Sequence, residues 1–140
     1  MRRLVIPLIA IVLTGCSTAP ITEQQAKDIP AGRIYDRSLL STGKAPGMGE
    51  VTFLRDQGTS GSACDHHVYV DNVRAFTIRR GEGVRLSLEV GEHFFRLEQG
   101  RGLCPNAAVS VETRVSDGAD QAYRIAFESN SGAIRFVRMR

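Results

Sequence analysis

VYVDNVRAFTIRRGEGVRLSLEVGEHFFRL, residues 68–97, is the stretch that decides how this chain folds. Apolar and polar side chains alternate through Val68 and Val70, and again through Val84, Leu86, Leu88 and Val90. A period of two marks a half-buried strand, because successive side chains leave opposite faces of an extended backbone. Asp71 and Asn72 stand between Val70 and the next apolar run, Val73 to Ile78, and both tolerate the positive φ of a tight hairpin. Gly81-Glu82-Gly83 and Gly91-Glu92 mark the next reversals. Connections this short cannot carry a parallel crossover, which takes a dozen or more residues, so the pattern predicts antiparallel pairing.

The same period extends outward to Val51 and Phe53; Val109, Val111 and Val115; Tyr123, Ile125 and Phe127; and Ile134 and Phe136. A turn is expected at Ser129-Asn130-Ser131-Gly132, and irregular loops at Ser38 to Gly49 and Gln57 to Ala63. Ahead of the strands, Thr22-Glu23-Gln24-Gln25 has capping-box spacing and predicts a short helix from Glu23 to Asp28, stopped by Pro30 and Gly32 and packed on or near a sheet. The expected fold is all-β: a small antiparallel β-sandwich of eight or nine strands with a short N-terminal helix.

Residues 68–97 resemble the pattern V-x-V-D-G/N, short strand, turn, L-x-L-x-x-G-x-H-x-x-x-L of PEGA-like domains. A similar core preceded by an Arg-Ile-Tyr strand, as in Arg33-Ile34-Tyr35, occurs in uncharacterised small bacterial lipoproteins. The resemblance implies a β-sandwich domain and supplies no activity or catalytic residue.

The beginning of the chain carries an address. Arg2 and Arg3 precede an apolar run from Leu4 to Val12 that is too short to span a bilayer but has the length of a signal-peptide core. Leu13-Thr14-Gly15-Cys16 then resembles the lipobox of bacterial lipoprotein signal peptides at every position. This resemblance implies cleavage before Cys16, acylation of its sulfur, and a mature chain of 125 residues, the 140 less the first 15. An ordinary secretory signal with a chance cysteine, or a short buried helix, is the alternative. Two or more acyl chains hold a protein on a membrane where one dissociates. In the lipoproteins that this start resembles, Asp at the position of Ser17 marks inner-membrane retention, so the resemblance implies the periplasmic face of the outer membrane. The expected organisation is a signal peptide at 1–15, a lipidated tether and short helix at 16–31, and the sandwich at 32–140.

Composition excludes several function classes. Removing Arg2 and Arg3 from the 18 Lys plus Arg leaves 16 against 15 Asp plus Glu, so the mature chain is nearly neutral. Arg79-Arg80 and the closing Arg135, Arg138 and Arg140 lack interleaved aromatics, so nucleic acid is not an expected partner. Trp is absent, which weakens any carbohydrate-stacking surface. Gly58-Thr59-Ser60-Gly61-Ser62 lacks the order of a nucleophile elbow, and Gly81-x-Gly83 lacks the third glycine and the βαβ context of a dinucleotide site. No catalytic residue and no cofactor are expected.

CDHH at residues 64–67 is the remaining cluster. Export places the domain where thiols oxidise, and with Cys16 committed to lipid, Cys64 and Cys104 remain to pair. Period-two counting puts Cys64 on the core-facing side with Val68 and Val70. A bridge closing about 40 residues contributes roughly 4 kcal/mol in the chain-entropy account. The alternative is a metal site built from Cys64, His66 and His93, although His66 and His67 must point to opposite faces and the spacing matches no zinc signature. The expected function is a membrane-anchored envelope lipoprotein acting as a structural or protein-interaction module. Its partners are membrane lipid, held through Cys16, and another envelope protein; the alternative is a small-ligand or metal binder centred on Cys64 and His66.

Overall fold

The computed structural model describes residues 18–58, 61–100, 104, 106–128, 131 and 133–140. The expected signal peptide, Cys16 and all of the 129–132 turn except Ser131 lie outside the described residues.

Among the described residues nine strands form two sheets. They are β1 (Lys27–Asp28), β2 (Met48–Arg55), β3 (His66–Val70), β4 (Val73–Ile78), β5 (Glu82–Glu89), β6 (Gly91–Gln99), β7 (Ala108–Val115), β8 (Asp120–Phe127) and β9 (Ile134–Arg138). One sheet has the order β1-β5-β2-β8-β9 and the other β4-β3-β6-β7. The all-β sandwich read from the alternation is the observed architecture. Among the described residues no helix is long and apolar enough to cross a membrane.

The β3–β4 hairpin forms as its sequence dictates, with Asp71 at φ 50° and Asn72 at φ 68°. The glycine turns behave differently. The connection through Gly81, at φ 73°, carries the chain from β4 in one sheet to β5 in the other, and Gly91 marks the reverse passage from β5 into β6. Each is an arch between layers, so β4 and β5 face each other across the core without pairing. Crossing back and forth also makes β2 and β8 parallel neighbours, with Val51 opposite Gln121 and Phe53 opposite Tyr123. The crossover that a parallel pair requires is the whole four-stranded sheet. β1 is also parallel to its neighbour β5, and the other strand pairs are antiparallel.

The expected helix at Glu23–Asp28 is a single 3-10 turn, Glu23–Gln25, that does carry the capping box. Lys27 and Asp28 extend instead and pair with Glu82 and Gly83, because the open edge of β5 offers backbone partners that a short solvated helix lacks. Arg33-Ile34-Tyr35 is likewise no full strand: Ala31–Arg33 is a 3-10 turn, and Ile34 makes one isolated bridge to Phe76. The folded body begins well before residue 32, since Ala19 bridges Gln57 and Ile21 and Ile29 are buried.

Phe53 on β2 is the hub of the core. Its ring lies 5.4 Å from Phe76 and 5.1 Å from Phe95 on the opposite sheet, and 5.8 Å from both Tyr123 and Phe136 on its own. Edge-to-face contacts cross between sheets and stacked contacts run along one sheet, both favourable arrangements for aromatic pairs. Replacing Phe53 with Ala leaves the site fully enclosed and unable to collapse. Denaturant melts of Phe53→Ala are expected to show a loss of about 3–5 kcal/mol.

Candidate functional site

The CDHH segment enters β3, and strand alternation distributes its side chains. Cys64 turns inward and is bonded to Cys104, with the Cα atoms 5.8 Å apart. The bridge ties the start of β3 to the connection between β6 and β7. His66 is the next inward residue and is fully buried, whereas His67 points out through the other face of the sheet.

The structure does not bring Cys64, His66 and His93 together as the metal alternative requires. Cys64 is committed to its disulfide. His93 sits near the far end of β6, where Nδ1 contacts Asp71 at 2.7 Å and Nε2 contacts the Glu89 carbonyl at 2.8 Å. Among the described residues no group of three or more His, Cys, Asp or Glu is placed to hold a metal ion.

Inside the sandwich, the end nearest the disulfide is polar. Val51, Phe53 and Arg55 share the inward face of β2, so Arg55 enters the core at 1 % exposure. Its guanidinium lies 4.5 Å from the centre of the Phe127 ring and donates to the Asp56 carbonyl at 3.1 Å. Burial lowers the Arg55 pKa to about 10, which keeps it charged at neutral pH. The edge of the His66 ring meets the same Phe127, at 5.1 Å between centroids. Burial, followed by the Arg55 charge, pushes the His66 imidazole down to about 3, so it is neutral in the folded protein. The sequence does not single out Arg55: period-two counting from Val51 and Phe53 reaches position 55, but a buried arginine is improbable.

Outside, the four-stranded sheet carries a polar basin of about 800 Å³, walled at one end by the disulfide-tethered residues Cys104 and Asn106. Strand register assembles its floor. Tyr69 pairs with Arg74 on one side and Arg96 on the other, while His67 pairs with Thr77 and Glu98. Arg74 also reaches Tyr35 on the chain that flanks β4, with its guanidinium 4.3 Å from the ring centre and Nη2 3.2 Å from the phenol oxygen. Arg96 lies 4.4 Å over Tyr69, giving a row of alternating tyrosine and arginine across the sheet. Cation–π contact of this kind holds both partners in fixed positions.

Arg74 Nη2 donates to His67 Nδ1 at 2.7 Å, which places the imidazole proton on Nε2. Burial and the Arg74 charge both lower the His67 pKa. Burial raises the Tyr69 phenol, and Glu98 adds to the shift. The basin presents the Arg74 guanidinium, the His67 imidazole, the Tyr69 phenol and the Glu98 carboxylate, with Tyr35 and Arg96 extending the row on either side. Thr77 Oγ1 lies 2.9 Å from His67 Nδ1, but at 2 % exposure and shared with Arg74 and Tyr35 it is a structural hydroxyl and no nucleophile. Arginine and tyrosine are residue types enriched where proteins meet. His67 and Tyr69 read from sequence as ordinary outward-facing residues. Their partners lie on other strands, so no local pattern announces the basin.

No family model, no curated protein and no solved structure matches this chain.

Two outcomes follow from this geometry. Cys64→Ser is expected to lower unfolding free energy by about 4 kcal/mol in denaturant melts, through the freed loop. His66 gives a pH signature with a definite sign. Above pH 6.5 the residue is neutral in both the folded and the unfolded chain, and below it only the unfolded chain takes up the proton. Stability therefore falls as pH drops from 6.5 towards 3, by on the order of several kcal/mol. His66→Gln is expected to flatten that slope relative to the wild type.

Proposed function

We propose that this chain is a lipid-anchored envelope protein, held through Cys16 at the periplasmic face of the outer membrane, whose sandwich presents a protein-docking surface. The observation that carries the reading is the Cys64–Cys104 bond, closed inside a sheet body that starts at Ala19, directly after the lipobox. A bond of this kind persists in an oxidising compartment, and export through a lipoprotein signal delivers the chain to one.

The docking surface is the basin on the four-stranded sheet. Tyr35, Tyr69, Arg74 and Arg96 are prearranged by mutual contacts, so a partner that meets them incurs little ordering cost. Arg74, Arg96 and the tyrosine phenols offer donors there beside the Glu98 carboxylate, and carboxylate or carbonyl groups on the partner would receive them. The sandwich is the structural element and its activity is binding. A small-ligand reading is favoured by one observation, the basin volume of about 800 Å³, which lies in the range of ligand pockets.

Cross-linking in the native membrane tests both parts of the proposal. The wild-type chain is expected in the membrane fraction with the mass of an acylated Cys16 and with a discrete protein adduct. Cys16→Ser is expected to leave the membrane fraction. Tyr69→Ala combined with Arg96→Ala should stay anchored and folded but lose the adduct. An unmodified Cys16 would overturn the anchoring, and an adduct that survives the double substitution would overturn the basin as the docking surface.

A further inference from the structure

The chain leaves the sandwich at one end, and the elements gathered there can be named. Ala19 N donates to the Gln57 carbonyl at 2.6 Å and Gln57 N donates back to Ala19 at 2.9 Å. Thr18 Oγ1 donates to the Phe127 carbonyl at 3.3 Å, and Ile21 is buried at 4 % exposure. Gln57 lies two residues beyond the C-terminal end of β2, and Phe127 is the last residue of β8. β2 is the middle strand of its sheet and β8 its neighbour, so the attachment point is central and not at an edge. The same end carries the start of β3 with the disulfide and the arch at Gly81, whose position abuts the Gln57 side chain. It also carries the start of β9 at Ile134, paired with Phe127. The opposite end carries the Asp71-Asn72 turn and Gly118.

We infer that the disulfide end of the sandwich rests on the phospholipid headgroups and that the Asp71-Asn72 end points away from the membrane. This inference rests on the proposed acylation of Cys16. Given that, covalent geometry does the rest. Only Ser17 separates Cys16 from Thr18, so the two Cα atoms are at most about 7 Å apart whatever the backbone conformation. A headgroup layer is itself about 5–8 Å deep on each side of the hydrocarbon. Thr18 therefore cannot rise clear of the headgroups while the acyl chains stay in the bilayer.

Central attachment keeps the body from lying on either sheet face. An eight-residue strand such as β2 spans roughly 25 Å, which sets the height of the distal turns above the surface. Charge at the proximal end suits the same contact. Arg79 is paired with Asp65 and Arg135 with Glu128, whereas Arg80 at the arch tip has no ion-pair partner among the described residues. An unpaired arginine favours an anionic headgroup layer. The basin is walled by Cys104 and so opens close to the membrane, which limits its partner to proteins that approach along the surface.

The chain contains no Trp, so a single introduced Trp reports without background. Ala133→Trp places the probe on an exposed site at the proximal end, and Val73→Trp on an exposed site beside the distal turn. Each acylated full-length variant is inserted into vesicles of phosphatidylethanolamine and phosphatidylglycerol in which part of the lipid carries a nitroxide on its headgroup. Ala133→Trp is expected to lose more than half its emission, and Val73→Trp to keep its emission unchanged. Equal quenching of the two, or quenching of Val73→Trp alone, overturns the orientation. So does the absence of quenching in both while the protein floats with the vesicles. Failure to float together with an unmodified Cys16 mass overturns the anchoring on which the orientation rests. Ser131→Trp and Asp117→Trp form a second proximal and distal pair with the same expected contrast, should either first variant fail to fold.

Discussion

The contact that the rest of the structure depends on is the Phe53 cluster, where one ring meets Phe76 and Phe95 across the interface and Tyr123 and Phe136 beside it. Two sheets with one apolar face each are stable only when those faces bury one another. Phe53 lies on the central strand of the larger sheet, so its contacts fix both the spacing and the lateral offset of the layers. The inward faces of β3, β4 and β6 on one side, and of β5, β8 and β9 on the other, all converge on this cluster or its neighbours.

Away from the hub the core changes character. Towards the disulfide end, Arg55 and the neutral His66 share the face and edge of Phe127, and the apolar interior gives way to a polar layer under the covalent clamp. A buried guanidinium costs stability unless its donors are occupied, and the backbone carbonyl of Asp56 and the ring of Phe127 offset part of that cost. The disulfide constrains the unfolded chain, while the buried His66 makes the balance between folded and unfolded chain sensitive to pH. The two effects occupy the same end, the one where Thr18 and Ala19 meet Phe127 and Gln57.

β3 is the element that connects the interior to the basin. This strand and the segment leading into it supply Cys64, His66, Val68 and Val70 to the inside and His67 and Tyr69 to the outside. The inward set is locked by the bridge and the core, so the outward set cannot slip in register. Arg74 and Arg96 approach Tyr69 from the two neighbouring strands, and Glu98 sits beside His67. The basin is in this sense a by-product of register, and its rigidity comes from the buried face of the same strands.

Strand positions, the Asp71-Asn72 hairpin and the inward direction of Cys64 were all legible in the residues, because alternation and turn chemistry are local properties. The pairing of Cys64 with Cys104 was also within reach once Cys16 was set aside, since counting leaves no other thiol. Which strands become neighbours was not. Gly81 and Gly91 read as hairpin turns and are arches between layers, and β2 finds β8 as a parallel partner across more than sixty residues of intervening chain. The helix expected after Thr22 gave way to one 3-10 turn because β5 had an edge to fill. A side chain's face is set by its own backbone and so is written in the sequence. Its neighbours are set by which apolar surfaces bury one another, and only the folded chain decides that. The buried Arg55 and the tyrosine–arginine basin belong to this second kind.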